Sequence, residues 1–519
     1  MDTNKASSAG TPHETTEEFD VARRDDVQKL RPHALGLMGV LFIALAGAAP
    51  MSAMFGNVPI AVGFGNGTAA AGGFILGTIL LLLFSVGYVA MVRKYTSAGG
   101  FYSFISHGLG RPAGMAAGWS SMAAYCLFEA GEWGIFAFFT KSTFKEYLGI
   151  DLPWLVYAFA GCALVAVLTY FDVELSAKIL GVALLLEAAV LLIMDLFILF
   201  KGGKDGIDYS PLSLSGALNG SNIAAAAPGV GIFFALWSWV GFECTANYAE
   251  EAKDPRRMVP RATYIAVIAL GILYTLTAWA GVLGHGLTNA SDDAANDAGN
   301  FFYSIASTFV NPASKDIMSW LIITSTFACA MAFHTAATRY YYAMGREGIF
   351  SKKLGRTHPK WQSPDVASFF QSAVAAVLIV VFVLIWKATP SMQEFADFEN
   401  APYFELYGWF AILGTFWVLL MMGLSGLATI AVFAKAENRN GTHWFKWLVA
   451  PILSSAGLFY ALYLLWSNIR TLGGDIGVVV ALPWLASAWV VIGLVLALVI
   501  KARRPQEYET LGRMLHSGL

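Results

Sequence analysis

LFIALAGAAPMSAMFGN, residues Leu41–Asn57, is the stretch on which the fold turns. It lies inside an apolar run long enough to cross a bilayer, which takes about 20 residues, yet Gly47, Pro50 and Gly56 interrupt it. In a helix interior Gly is unfavourable by about 1 kcal/mol and Pro by about 3 kcal/mol. Backbone groups set loose at membrane depth cannot face lipid, so a break is stable only where protein, water or a ligand meets them. The break therefore marks a candidate binding site, against the plainer alternative of a proline kink in an ordinary spanning helix. Pro suits the first position of a helix, so the second half-helix is expected to start at Pro50. The amides of Met51, Ser52 and Ala53 would then face the midplane with the positive end of the helix dipole, an arrangement suited to a carboxylate.

The chain around this stretch is 519 residues long, 57% hydrophobic and only 13% charged, with a mean hydropathy of +0.59. That is too little polar surface for a soluble globule of this size and indicates an all-α integral membrane protein in a lipid bilayer. A net charge of -2 gives no sign of a nucleic-acid partner. Cys126, Cys162, Cys244 and Cys329 lie in apolar stretches without metal-ligand spacing, so free thiols, no metal site and no cofactor are expected. Twelve apolar segments follow one another, at about 35–62, 69–92, 112–140, 153–171, 175–200, 226–248, 262–284, 317–345, 366–387, 405–434, 446–467 and 477–501. Residues 1–34 read as a disordered polar tail without the apolar core of a signal peptide, and 502–519 as a second tail. Of the 33 Lys and Arg, 25 fall on the side of the tails and seven on the other, which makes both termini cytosolic in a cytoplasmic membrane. The loops 201–225 and 285–316 are expected to carry short surface helices, and no soluble stretch is long enough for a separate catalytic domain.

A second interruption matches the first. The sixth segment, FFALWSWVGFECTANYAEEAKDPRR from Phe233, places Gly241 and Glu243 where a spanning helix should continue. Spans one and six correspond if the first ten form two halves of five, about 35–200 and 226–435, with 436–501 supplying two further helices. An odd number of spans per half inverts one half relative to the other, and paired broken helices in inverted repeats point to a transport site.

Three stretches then carry a resemblance: SAGGFYSFISHGLGRPAG (Ser97–Gly114), ALWSWVGFE with EEAKDPRRMVPRA (Ala235–Ala262), and TRYYYAMGREGIF with its basic loop (Thr338–Pro364). Across about 35–500 the chain resembles the amino acid, polyamine and organocation permease superfamily, in the twelve-helix version of the LeuT-like 5+5 fold. Members of that superfamily commonly carry a Gly-Ser-Gly type stretch in the first break. This chain has Gly47, Ala48, Ala49 and Pro50 there, which leaves Ser52 as the candidate substitute.

The resemblance implies a solute held at Ala46, Gly47, Ala48, Ala49, Met51 and Ser52 on one break and at Val240 and Gly241 on the other, under a gating Trp237. An aromatic face attracts an ammonium by about 0.5–2 kcal/mol, although Trp237 also reads as a packing residue. Glu129 and Glu132, three apart on one face of the third span, are intramembrane acids and hence functional candidates, Glu129 for an amine-bearing solute and Glu132 for a gate. The alternative places both near an outer mouth in contact with water. Glu187, with Asp195 two turns on, is the proton-coupling candidate of the fifth span, where related permeases often act on an ion and several carry a lysine; here the nearest lysine is Lys178. Glu243 takes a proton or caps the inner half-helix, and His334 reads first as a structural histidine that need not share a face with Arg339. Gly99 and Gly100 suggest a tight bend at the inner mouth.

These features define a secondary carrier moving a small amine-bearing solute, an amino acid first and a polyamine second, by alternating access with protons. No nucleophile with a base, metal cluster or phosphate loop supports an enzyme. A non-transporting nutrient sensor would share the sequence and differ only in flux.

Overall fold

The computed structural model of the chain describes residues 35–95, 99–170, 173–223, 226–249, 251–439, 441–470 and 476–512. The expected tail 1–34, the side chain of Lys178 and the end of the second tail lie outside the described residues. Among the described residues the structure is helical, and β pairing is limited to two isolated bridges, Leu35 with Ala252 and Gly67 with Ser221.

Helices occupy each of the apolar segments. The first is split into α1 (Leu37–Ala48) and α2 (Pro50–Ile60); α3 (Ala70–Lys94), a short α4 (Gly100–Leu109) and α5 (Arg111–Leu148) follow. Next come α6 (Trp154–Tyr170), α7 (Val173–Lys201), the short α8 (Leu214–Asn219), α9 (Pro228–Trp237) and α10 (Pro255–His285). The loop after α10 holds α11 (Ala290–Asn296) and α12 (Phe301–Phe309), so both long loops carry short helices. The chain ends with α13 (Pro312–Arg346), α14 (Asp365–Ala388), α15 (Pro390–Phe395), α16 (Gly408–Ala434), α17 (Ala450–Ser467), α18 (Gly477–Arg503) and α19 (Pro505–Thr510).

Ten of the described segments are long and apolar enough to cross a membrane. Helix α6 is shorter, at 17 residues. Helix α5 runs to 38 residues, past the expected end at 140, with Gly, Ala, Ser, Glu129 and Glu132 in place of aliphatics along its buried length. It packs against α13, α16, α4 and α18 and is mostly buried, so it does not need an apolar surface. Small residues let neighbouring backbones come close. A Cβ on Gly134 would sit 2.6 Å from the Pro402 carbonyl oxygen. Lipid-length aliphatics are exposed instead on α7, α14 and α18, for example Leu185, Leu186, Val377 and Val495. The first split helix is buried at the centre, against α7, α10 and α13.

Past α18 the chain turns back. Leu511 is fully buried, and Glu347, just beyond α13, accepts hydrogen bonds from the Tyr102 hydroxyl and from the Gly512 amide. Burial pushes the Glu347 carboxyl up from the ordinary carboxylate range to about 7. The folded protein therefore binds more protons there than the unfolded chain, whose glutamates titrate at about 4.3. Stability falls as pH rises through that window and levels off above it. Compared with Glu347→Gln, the wild type is expected to lose on the order of 3 kcal/mol between about pH 4.5 and 7. Thermal midpoints of both proteins across that range check it; parallel curves contradict it.

Candidate functional site

Helix α1 stops because Ala49 takes a left-handed conformation, φ 33° and ψ 81°, and α2 restarts with Pro50 in its first turn, as expected. An alanine at positive φ is uncommon and strained. The surroundings hold it there: the Ala49 amide still donates to Leu45, the Tyr274 hydroxyl donates to the Ala48 carbonyl at 2.8 Å, and the Cys329 thiol to that of Gly47 at 3.1 Å.

The amides at the start of α2 are not open. Ser52 N–H donates to Ser325 Oγ on α13 at 3.0 Å, and Ala53 N–H donates to the Ala49 carbonyl. Ser325 in turn donates to Glu187 on α7 at 2.7 Å. The positive helix end expected to meet a solute carboxylate is thus occupied by the Ser325 hydroxyl, which Glu187 holds in place. Sequence reading missed this because Ser325 lies 273 residues from Ser52.

Helix α9 ends at Trp237, the chain turns over Ser238–Gly241, and a 3-10 helix continues over Phe242–Tyr248. Gly241 sits at φ 116°. Its amide donates to Glu243 Oε2 at 2.9 Å, while Tyr125 donates to Oε1 at 2.7 Å. The Glu243 side chain thus ties down the loosened backbone of this break, the capping alternative raised above. The two breaks cross back to back: a Cβ on Gly241 would lie 2.6 Å from the Gly47 carbonyl carbon.

A small buried cavity of about 10 Å³ lies between the breaks, room for about one water. Of the expected residues, Gly47, Ala48, Ser52, Glu132, Trp237 and Val240 line it. Ala46, Ala49, Met51, Gly241, Glu129, Glu187 and Glu243 are not among the lining residues. Trp237 closes one wall with its ring stacked against Phe333, centroids 5.9 Å apart, and 4.4 Å from Phe128. Its indole N–H donates to the Tyr407 hydroxyl at 3.0 Å, Tyr407 donates to Asn57 Oδ1, and Asn57 donates to Ser238 Oγ. Tyr407, Asn57, Cys329 and Phe333 went unrecognised as site residues. Asn57, a polar amide at the end of the opening stretch, was the one with a local signal.

Glu132 is the carboxylate in the cavity. It is 2% exposed, Ser52 Oγ donates to it at 3.1 Å, and none of the cavity-lining residues is basic. Glu129, one turn back, is directed elsewhere, to His334 on α13 at 3.0 Å, Gln371 on α14 at 2.7 Å and Trp133 at 3.3 Å. Glu132, expected as a gate, is thus the acid that lines the cavity, and Glu129, expected to meet the solute, is not. Neither is at a wet outer mouth: Glu129 is 0% exposed. Asp195 accepts from Thr277 at 2.6 Å, and Arg339 is paired with Glu251 at 2.7 Å while stacked 3.9 Å over Tyr248. Gly100 has φ 46°, consistent with a tight bend entering α4.

The amino acid permease family profile matches residues 39–508. A low-affinity putrescine importer of Escherichia coli, PlaP, is 24% identical over 480 residues, which span 91% of this chain and 94% of that one. The branched-chain amino acid permease BcaP of Bacillus subtilis is 22% identical over 341 residues, 60% of this chain and 69% of that one. Among solved structures, a mutant manganese transporter of Eremococcus coleocola aligns over 92% of this chain and 99% of its own, with a TM-score of 0.58 at 14% identity. That last likeness concerns the fold alone.

Proposed function

The chain belongs to the amino acid permease family, a family of transporters and not of enzymes, and from that premise we propose that it is a secondary carrier for a small solute bearing a primary ammonium. The solute class is amino acids, cationic ones foremost, with polyamines as the second reading. The arrangement proposed is the 5+5 inverted repeat of about 35–200 and 226–435, with 436–501 added and both termini cytosolic. The tight packing of α3 with α10 and of α5 with α13, spans two with seven and three with eight, supports it.

One observation carries the reading: Glu132, a buried acid without a basic partner in a cavity lined also by Trp237, Phe333 and Tyr407. A carboxylate held away from water is costly unless a cation meets it. An ammonium supplies the charge, and the aromatic walls supply cation–π attraction. The capped amides of α2 favour the polyamine reading, because a diamine needs no carboxylate site. An amino acid carboxylate reaches the Ser52 amide only after Ser325 gives it up, and a proton on Glu187, by weakening its hold on Ser325, would tie that step to the proton gradient.

The test is uptake into proteoliposomes of labelled putrescine, arginine, leucine and butyrate, with and without a pH gradient. The amines are expected to accumulate or exchange and butyrate to stay outside. If none of the amines enters or exchanges, the carrier reading fails and a sensor remains. Glu187→Gln is expected to keep solute exchange while losing acceleration by the gradient; gradient-driven uptake at the wild-type rate removes Glu187 from the coupling.

A further inference from the structure

Four side chains on the cavity wall form a hydrogen-bonded chain whose two ends fix its direction. The Trp237 indole N–H can only donate, and the Phe234 carbonyl can only accept. Between them, Trp237 donates to the Tyr407 hydroxyl at 3.0 Å, Tyr407 to Asn57 Oδ1 at 2.8 Å, Asn57 Nδ2 to Ser238 Oγ at 2.8 Å, and Ser238 to the Phe234 carbonyl at 2.8 Å. Each of the two hydroxyls has a single hydrogen to give, so neither they nor the Asn57 amide can turn round without losing a bond. All four side chains are buried and line the cavity.

The wall is therefore short of donors. The Ser52 hydroxyl is spent on Glu132 and the Cys329 thiol on the Gly47 carbonyl. The Ser52 and Ala53 amides go to Ser325 and Ala49, and the Ser238 and Val240 amides to the Phe234 and Trp237 carbonyls. The other lining amides lie inside helical turns. Among the described lining residues this leaves the second Nδ2 hydrogen of Asn57, and a proton on Glu132 would add one more on a different side chain. Acceptors are more plentiful: Asn57 Oδ1 and Ser238 Oγ each keep a lone pair, and Glu132 keeps an acceptor oxygen whether or not it is protonated. An ammonium has hydrogens and no lone pair; a carboxylate has lone pairs and no hydrogen. The first fits this wall with every bond in place, and the second has to break some. The two sets of acceptors also stand apart. Ser52, which holds Glu132, and Asn57 are five residues apart on α2, about 7.5 Å along its axis. Much of the remaining wall is apolar, with Ala48, Ala53, Val240 and Phe333.

We propose that the solute brings no carboxylate into this cavity and is a linear diamine, with one ammonium at Glu132, the other at Asn57 Oδ1 and Ser238 Oγ, and its methylenes along the apolar wall. This rests on the carrier reading above and chooses between its two solute classes. The cavity has to widen to admit such a chain, but no bond from Trp237 through Tyr407 and Asn57 to Ser238 has to be given up.

Calorimetric titration of the purified full-length protein compares solutes that differ by one group. Agmatine and arginine, like cadaverine and lysine, differ by the α-carboxylate; putrescine and butylamine differ by the second ammonium. Agmatine and cadaverine are expected to bind at least about tenfold tighter than their amino acids, and putrescine at least about tenfold tighter than butylamine. An amino acid that binds as tightly as its amine overturns the proposal and leaves the carrier reading intact. If no amine and no amino acid binds, the carrier reading falls and the proposal with it. Ser238→Ala removes an acceptor from the second ammonium and frees the other Asn57 amide hydrogen for a carboxylate, so both preferences are expected to shrink by about threefold or more. A mere packing defect would weaken all the solutes together and keep their ratios. Unchanged ratios in Ser238→Ala overturn the second ammonium site, and so, in the wild type alone, does butylamine binding as tightly as putrescine.

Discussion

Gly241→Ala is expected to abolish uptake and to cost on the order of 3 kcal/mol of stability. Two independent effects coincide at this position. The backbone lies at φ 116°, ψ −29°, a conformation that side-chain-bearing residues rarely adopt. An added Cβ would also meet Gly47 and Ala48 backbone atoms at 2.6 to 2.9 Å, where no flexible side chain can move aside. Gly47→Ala is the internal contrast. That residue is in α1, and its Cβ would meet the Gly241 Cα at 3.2 Å, a tight approach without backbone strain. The expected order is therefore a severe loss for Gly241→Ala and a mild one for Gly47→Ala, read from thermal midpoints of the detergent-extracted proteins and from uptake. A Gly241→Ala protein with wild-type midpoint and flux would mean that the crossing of the two breaks is not what holds the site together.

That crossing shows how much of the fold the sequence discloses. Apolar runs of spanning length locate the helices, and Gly47, Pro50 and Gly241 locate both breaks, because bilayer thickness and backbone hydrogen bonding leave few alternatives. Pro50 also fixes the start of α2. The length of α5 is less legible: a helix shielded by α13 and α16 is released from the apolar composition that lipid demands, so its end at Leu148 has no hydropathy signal. The conformation past Gly241 is not legible either. A 3-10 segment there depends on tertiary support, including Glu243 and Tyr125, which are 118 residues apart.

The site divides the same way. Acids at membrane depth announce themselves in sequence, so Glu129, Glu132 and Glu187 are found at once. Their division of labour is not. Residues three apart differ by about 60° around a helix axis. That is enough for Glu132 to enter the cavity while Glu129 turns to His334, and the partner that decides the matter is 205 residues away. Tyr407, which receives the Trp237 indole hydrogen bond, lies in the wide-turn entry to α16 with no local pattern to mark it.

Glu132→Gln is the substitution that separates charge from shape in the cavity. Glutamine keeps the length and planarity of the side chain and a carbonyl oxygen for the Ser52 hydroxyl, which is 3.1 Å away in the wild type. It removes the charge that an ammonium would meet. Losing one partner of a buried, hydrogen-bonded charge pair costs about 2 to 5 kcal/mol, so apparent affinity for putrescine or arginine is expected to fall by on the order of 100-fold or more. The thermal midpoint of the solute-free protein should hold or rise, because a buried acid without a basic partner in its cavity does not stabilise the fold. This combination, weaker binding in a protein no less stable, is what a recognition residue produces. A purely structural carboxylate would show the reverse, a lowered midpoint with solute affinity kept in the molecules that remain folded. Transport assays over a range of putrescine concentrations, alongside thermal unfolding of the empty protein, distinguish the two. Retained affinity in Glu132→Gln would assign the ammonium to the aromatic walls of Trp237, Phe333 and Tyr407 alone.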